Sequence, residues 1–521
     1  FFPVAVAFCA VLFSCDEGNE QETESEVSRA AFLPVDSTYA NPYRPQFHFS
    51  PRSQWMNDPN GMVYFQGEYH LFYQYYPDST VWGPMHWGHA VSRDLVHWEH
   101  LPIALNPDSL GYIFSGSAVV DWKNTTGFGS VNEPPLIAIY TYHHPETTLQ
   151  TQAIAYSTDR GRNWTKYDHN PVLPNSGIKD FRDPKVFWHE PSSQWIMILA
   201  EASQVGLYGS LDLKSWEPLS KFGQYDGNHG GVWECPDLFQ LSDAGVNSRW
   251  VMIVSIGSGG PAGGSASQYF IGDFDGKEFR NDYGADQEMW LDYGKDNYAG
   301  VTWSDVDPND GRRIFLGWMS NWQYATKVPT ESWRSAMTLP REMVLYQTRE
   351  GYRVASRPVQ EVYQLRIDTT VVNSKLLSGS ADWSEVYPSD STLLNFELTL
   401  SDVSNTGFGW ELLFENELEE YISLGFDQES NQFFIDRTES GDHSFSEDFS
   451  GIQYAKRISG QSQMSLSIWI DRSSIEVFAD NGTVVMTDLF FPTLPFDRWT
   501  LESGDQSLAV EGRIHQLSSI W

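Results

Sequence analysis

The chain has 521 residues, 40% of them hydrophobic, so it can bury a large core and is too long for one ordinary domain. Lys and Arg total 33 against 69 Asp and Glu, and the resulting formal charge of −36 argues against nucleic acid or anionic membrane as a partner and suits a neutral substrate. Aromatics make up 15%, with 21 Trp, which fits sugar-binding rings and equally fits a β-rich core.

The chain starts FFPVAVAFCAVLFSC, where twelve of the first fourteen residues are apolar. That is the length of a signal-peptide core and too short to span a bilayer. The stretch LFSC (12–15) resembles a lipobox, so residues 1–15 are expected to be a signal segment with Cys15 lipidated; an ordinary cleaved signal is the alternative. Residues 16–28 carry six acids and no base, and 16–40 reads as a disordered acidic linker. An acidic run directly after the Cys resembles a surface-export signal of Gram-negative lipoproteins. The expected location is therefore the outer membrane or cell surface, otherwise the periplasm or the medium, with Cys15 as the only membrane attachment. Only Cys9, Cys15 and Cys235 are present, so a mature chain lacking the first two has no internal disulfide and relies on its core.

From about residue 41 a repeat appears. AVSRDLVHW (90–98), AYSTDRGRNW (155–164) and YGSLDLKSW (208–216) each read as an apolar strand, a Ser-x-Asp turn and a Trp, with a weaker copy in IGDFDGKEF (271–279). Their spacing suits one four-stranded propeller blade per copy. A second pattern alternates with it: NDPNGMVYF (57–65), RDPKVFW (182–188) and ECPDLFQL (234–241) set an acid at or next to the position before a proline, followed by an apolar strand. In a propeller the first strand of each blade lines the central channel, which would aim Asp58, Asp183 and Glu234 into one funnel. Five blades fit the space, giving a propeller over 41–350. RPVQEVYQL (357–365) reads as a short helix inside a linker over 351–366. Beyond it SLSIWID, SSIEVFAD and TVVMTDLFF alternate with period two, as in an antiparallel sandwich over 367–521. The expected fold is all-β, a five-bladed β-propeller followed by a C-terminal β-sandwich.

Three carboxylates in one funnel suit glycosidic bond hydrolysis, in which a retaining enzyme holds two carboxyls about 5–5.5 Å apart, one as nucleophile and one as acid/base. Glu234, between Trp233 and Cys235, has apolar neighbours suited to a protonated acid. Asp58 is the candidate nucleophile. Asp183, beside Arg182, is expected to stay ionised and to grip sugar hydroxyls. Each motif alone reads most simply as a turn; the set at matching points of a repeat does not.

WMNDPNG, FRDP and WECPDLF, in this order, together resemble glycoside hydrolase family 32, and IDRSSIEVFADNG (470–482) resembles that family's sandwich signature. The resemblance runs from about residue 46 to the C-terminus. It implies a covalent fructosyl-enzyme intermediate, retention of configuration and no metal or other cofactor, with Asp58 as nucleophile, Asp183 as transition-state stabiliser and Glu234 as acid/base. It also implies substrate contacts from Trp55, Asn57, Gln74, Trp82, Phe114, Ser115, Arg182 and Trp318, with Tyr298 and Trp322 bordering the funnel; core packing is the alternative for Trp82 and Trp318. The implied substrate is a fructose-containing oligo- or polysaccharide such as levan, inulin or sucrose. The expected enzyme is a retaining hydrolase of terminal fructosyl bonds; endo-acting levanase or inulinase, fructosyltransferase and non-catalytic fructan-binding protein are the rivals. The sequence carries no sign of linkage preference or oligomeric state. His48, His86, His89, His143 and His144 match no metal-ligand spacing and read as structural or sugar-contacting. Cys235 reads as a small buried filler, and GSGGPAGGS (257–265) as a flexible loop rather than a phosphate cradle.

Overall fold

A computed structural model describes residues 39–243, 247–307, 309–386, 392–402, 409–503 and 507–521. The expected signal segment, Cys15 and nearly all of the acidic linker lie outside the described residues. Residues from Val35 onward cluster as one compact unit.

Five antiparallel sheets follow one another along the chain. The first holds β1 (Gln54–Phe65), β2 (Glu68–Tyr76), β3 (His86–Ser92) and β4 (Trp98–Leu105); the second β5 (Tyr112–Val120), β6 (Leu136–His143), β7 (Gln150–Ser157) and β8 (Thr165–Lys166). The third holds β9 (Phe181–His189), β10 (Gln194–Glu201), β11 (Gln204–Ser210) and β12 (Glu217–Phe222); the fourth β13 (Trp233–Asp243), β14 (Asn247–Ile256), β15 (Ala266–Phe274) and β16 (Phe279–Asn281). The fifth holds β17 (Tyr298–Thr302), β18 (Arg313–Met319), β21 (Arg341–Thr348) and β22 (Gly351–Pro358). Two short strands lie between its members: β19 (Trp333–Arg334) pairs in parallel with β1, and β20 (Ala336–Met337) pairs with β18. The first strands touch in cyclic order, β1 to β5 to β9 to β13 to β17 and back to β1.

The Ser-x-Asp repeat has a local cause. At the ends of β3, β7 and β11 the Ser hydroxyl donates to the Asp carboxylate (Ser92–Asp94 3.1 Å, Ser157–Asp159 2.8 Å, Ser210–Asp212 3.3 Å). The same carboxylate then accepts amide N–H groups of the turn. This replaces the ladder bonds that the chain gives up as it reverses. Leu95, Arg160 and Leu213 take φ of 64°, 61° and 61° at matching points of these turns. In the weaker copy Asp275 caps the turn into β16 in the same way.

Residues 351–358, expected as linker, belong instead to β22, which pairs with β21 across the turn at Arg349–Glu350. The helical part of that linker is a 3-10 turn, Gln360–Leu365. Two six-stranded sheets follow: β23 (Arg366–Leu377), β25 (Leu394–Asp402), β30 (Gln463–Ile470), β31 (Ser474–Ala479), β32 (Val484–Leu489) and β34 (Leu508–Leu517) form one. The other holds β24 (Ser380–Asp382), β26 (Trp410–Glu415), β27 (Tyr421–Asp427), β28 (Gln432–Asp436), β29 (Ile452–Lys456) and β33 (Arg498–Glu502). Strict alternation in β26 and β28 turns one face of each strand inward, and both sheets contribute to a single core, with Phe396 of β25 5.4 Å from Phe414 of β26.

Charge ties the two parts together. Arg341 of β21 bridges Asp292 (2.9 Å) and Glu476 of β31 (2.5 Å), all buried. His48 sits between Asp471 and Glu476, 2.8 Å from each, so it donates from both ring nitrogens as an imidazolium. Burial alone would push His48 down, but the bonds and charges of Asp471 and Glu476 raise it to about 9. A raised pKa stabilises the fold fully below the unfolded value near 6.5, and that stability is lost as pH climbs through about 9. The stability gap between wild type and His48→Asn is therefore expected to narrow by about 3 kcal/mol between pH 6 and 10, read from denaturant unfolding. A gap that does not change with pH would place the imidazolium elsewhere.

Candidate active site

Every first strand breaks register near its start: between Met56 and Pro59 in β1, Ile113 and Gly116 in β5, Arg182 and Lys185 in β9, Glu234 and Asp237 in β13, and Tyr298 and Val301 in β17. A bulge re-aims the side chains inside it and ends regular pairing. The sequence at each break has the same frame, two variable residues and then Pro or Gly: Asn57-Asp58-Pro59, Phe114-Ser115-Gly116, Arg182-Asp183-Pro184, Glu234-Cys235-Pro236 and Tyr298-Ala299-Gly300. Proline has no N–H to leave unpaired in the bulge. Glycine is needed where backbones or rings come close, since a Cβ on Gly116 would lie 2.1 Å from the Ile139 carbonyl and one on Gly300 2.0 Å from the Phe315 ring. Asp183, Cys235 and Ala299 take φ of 64°, 45° and 53°. The frame also refines the repeat: Asp58 and Asp183 share one position, whereas Glu234 stands one residue earlier, at the position of Arg182.

The first four of these bulges face a cavity of about 370 Å³, lined by Asn57, Asp58, Gln74, Trp82, Phe114, Ser115, His143, Gln150, Asp180, Arg182, Asp183, Glu234 and Trp322. Asp58 accepts from Ser115 Oγ at 2.6 Å on one oxygen and from Asn57 Nδ2 at 2.9 Å on the other. Asn57 is itself oriented by Trp55, whose indole N–H donates to its carbonyl at 2.7 Å. Asp183 accepts the Cys235 N–H at 3.0 Å, and the Cys235 thiol lies 3.5 Å from Asp58 and 3.7 Å from Asp183. Burial and the neighbouring carboxylates push that thiol far above its usual range, so it is an S–H donor and not a nucleophile. Glu234 accepts two Arg182 bonds on one oxygen, at 3.1 and 2.8 Å, and the Tyr298 hydroxyl on the other.

Burial pushes the Asp58 carboxyl up, the Ser115 bond opposes this, and the charge of Glu234 pushes further. Asp183 also rises: burial raises it, Arg182 pulls it back, and the charges of Glu234 and Asp58 raise it again. This corrects the expectation that Arg182 keeps Asp183 ionised. The guanidinium comes only to 4.0 Å of Asp183 because its hydrogen bonds go to Glu234 and Asp180.

Removing the Ser115 hydroxyl takes away a bond that favours the ionised Asp58. For any reaction that uses Asp58 as a carboxylate, activity falls as pH drops through its pKa. Ser115→Ala is therefore expected to shift the acid limb of the kcat/KM profile upward by about one pH unit. An acid limb that stays in place would remove Ser115 from control of this carboxylate.

The other expected contacts divide. Gln74, Trp82 and Phe114 line the cavity, with Trp82 and Phe114 edge to face at 6.0 Å. Trp55 and Trp318 do not. Both are fully buried behind Trp322, which stacks 5.9 Å from Trp55 and lies 4.8 Å from Trp318. Tyr298 is buried beneath Glu234. Asp180 and Gln150 also stand in the wall, with His143, which the sequence marks only as structural or sugar-contacting. Asp180 lies two residues before Arg182, a period-two signal that was there to read. His143 and Gln150 pair across β6 and β7 and meet Phe114, whose ring stacks on His143 at 4.4 Å. That relation depends on strand pairing and has no local signature.

The model of the glycosyl hydrolases family 32 N-terminal domain matches residues 48–358, and that of the family 32 C-terminal region matches 359–517. The chain is 48% identical to a levanase of Bacillus subtilis over 498 residues, covering 93% of this chain and 72% of that one. It is 38% identical to an extracellular exo-inulinase of Aspergillus awamori over 532 residues, covering 94% and 98%. A structure of a β-fructofuranosidase of Schwanniomyces occidentalis complexed with fructosyl-erythritol matches with a TM-score of 0.80 at 35% identity, covering 91% and 98%.

Proposed function

Because the chain belongs to glycosyl hydrolase family 32, we propose that the cavity splits terminal β-D-fructofuranosyl bonds with retention. The protein is a glycoside hydrolase of the β-fructosidase type, acting on fructans and sucrose. Asp58 attacks the anomeric carbon while Glu234 gives a proton to the departing glycosidic oxygen, leaving a fructosyl ester on Asp58. Water then gives its proton to Glu234 and attacks the same carbon, which frees fructose and restores both carboxyls. Asp183, Gln74, Ser115, Arg182 and the Asn57 amide hold the sugar hydroxyls, and Trp82 and Phe114 pack on its apolar edge. Trp55 and Trp318 serve from behind, by fixing Asn57 and Trp322.

The observation that carries this reading is the convergence of Asp58, Asp183 and Glu234 on one cavity from three bulged strands. The five sheets, with first strands touching in a closed cycle, are read as the five blades of a propeller over residues 41–358. A sandwich over 367–521 follows it. The cavity volume is near the lower end for small-ligand sites, which favours one chain end over a chain running through. The enzyme is read as exported, in line with its extracellular relative, with a lipid on Cys15 as its anchor.

A product time course on levan, inulin and sucrose tests the reading. Free fructose alone from a polymer is expected. A ladder of oligosaccharides would replace it with endo action, chain-lengthened products at high sucrose with a transferase, and no turnover on any of the three with a binding protein.

A further inference from the structure

Three of the inner strands, β5, β9 and β13, start at the catalytic cavity and reach a second one further along. This second cavity, of about 450 Å³, lies where β5, β9 and β13 run out, at Val120, Trp188 and Phe239. Its wall begins at Lys185 and Asp237, two and three residues past Asp183 and Glu234, and reaches Val120, Trp188 and Phe239, each five residues past Ser115, Asp183 and Glu234 and roughly 17 Å along the strands. The two cavities share no lining residue.

Its walls are indole rings. Trp122 is 52% exposed, although large aromatics are usually well covered. The ring is not free to swing, because its N–H donates to Asp305 Oδ1 at 2.9 Å and Phe65 lies 5.8 Å away. One face is therefore held ready in water. Trp250 continues the wall, as does Trp188, one face of which is covered by the Lys123 ammonium 4.2 Å from the ring centre. Charge in the cavity is balanced: Lys185 pairs with Asp237 at 3.3 Å and Lys123 with Glu190 at 2.9 Å, and Asp305 offsets Arg313. A lining without net charge gives no advantage to an ionic ligand, even on a chain of −36. Donors are left over. The Trp250 indole N–H has no partner among the described residues, and the Arg313 guanidinium makes one hydrogen bond, to Trp303 O at 3.4 Å. Fixed aromatic faces, balanced charge and spare donors together match a neutral, hydroxyl-rich ligand.

We propose that this cavity is a second carbohydrate site, which holds a segment of the fructan polymer away from the catalytic cavity. The proposal rests on the fructan reading above. The site faces the far end of the strand ring, so it holds a distant stretch of a long chain or a neighbouring chain, and a short substrate such as sucrose gains nothing from it.

The test combines retention with kinetics. In an Asp58→Asn background, Trp122→Ala and Trp188→Ala are run through affinity gels containing levan, inulin or dextran. In the active enzyme the same substitutions are assayed on polymer and on sucrose. Retention by at least one fructan is expected to weaken roughly 3- to 10-fold, with Trp122→Phe keeping part of it. KM for that polymer rises by a similar factor, while KM and kcat for sucrose stay within about twofold. Unchanged retention in both variants overturns the second site, as does a matching loss on sucrose, or retention by dextran alone. Absence of turnover by the parent on all three substrates would instead overturn the β-fructosidase reading, so the two failures are separable.

Discussion

Asp58→Asn is expected to lower kcat on sucrose and fructan by on the order of 10⁴-fold or more, while the protein stays folded. The amide keeps the shape of the carboxylate and can still accept from Ser115 at one atom, but it cannot form the fructosyl ester. Stability should hold or rise. Asp58 has its pKa raised by burial and by the charge of Glu234, so its ionised form is disfavoured in the folded cavity. A neutral side chain relieves that cost above the unfolded carboxylate pKa. The two readouts, turnover and melting temperature, then move apart. Near-normal turnover by the Asn variant would mean that another group forms the bond to the sugar.

Glu234→Gln removes the proposed proton donor and should cost about 10²- to 10⁴-fold on sucrose. The loss should be much smaller on an aryl fructoside, whose leaving group needs little protonation. Arg182 and Tyr298 both bond to Glu234 and hold its carboxyl in place, and the Gln side chain retains an oxygen for one of them. Equal losses on both substrates would sink the acid/base role and leave Glu234 as a binding group. Comparing kcat/KM on the two substrates separates these outcomes without any structural measurement.

What the sequence made legible was local chemistry. The Ser-x-Asp turns could be found because each is closed within a few residues by its own side chains, as at Asp94, Asp159 and Asp212. Asp58 and Asp183 stood out because a bulge that opens on Asp-Pro leaves a visible trace. The second and fifth inner strands escaped the repeat because Gly116 and Gly300 replace proline there, and FSGS and YAGV do not look like NDPN until their register breaks are seen. Long-range pairing was not legible. β19 has two residues, and only its partner β1 makes it a strand. β22 resembles a linker in sequence since one short hairpin arm has no period to distinguish it from a connection. Trp55 and Trp318 were expected at the sugar because tryptophan suits both a platform and a core. Their burial behind Trp322 is decided by packing between sheets, which no single segment encodes.

The shared frame at the five register breaks has a consequence for how such a site can change. The five first strands repeat one backbone break around a closed cycle, yet a furanose ring has no such repetition. Within the frames the asymmetry resides in the two variable positions, where amide and carboxylate, phenyl and hydroxyl, guanidinium and carboxylate, carboxylate and thiol, and phenol and methyl succeed one another around the cycle of strands. The Pro or Gly that follows is the invariant hub. Seven of these ten side chains line the cavity, over a scaffold that need not move, so a new substrate can be reached by rewriting one wall while the others keep their geometry.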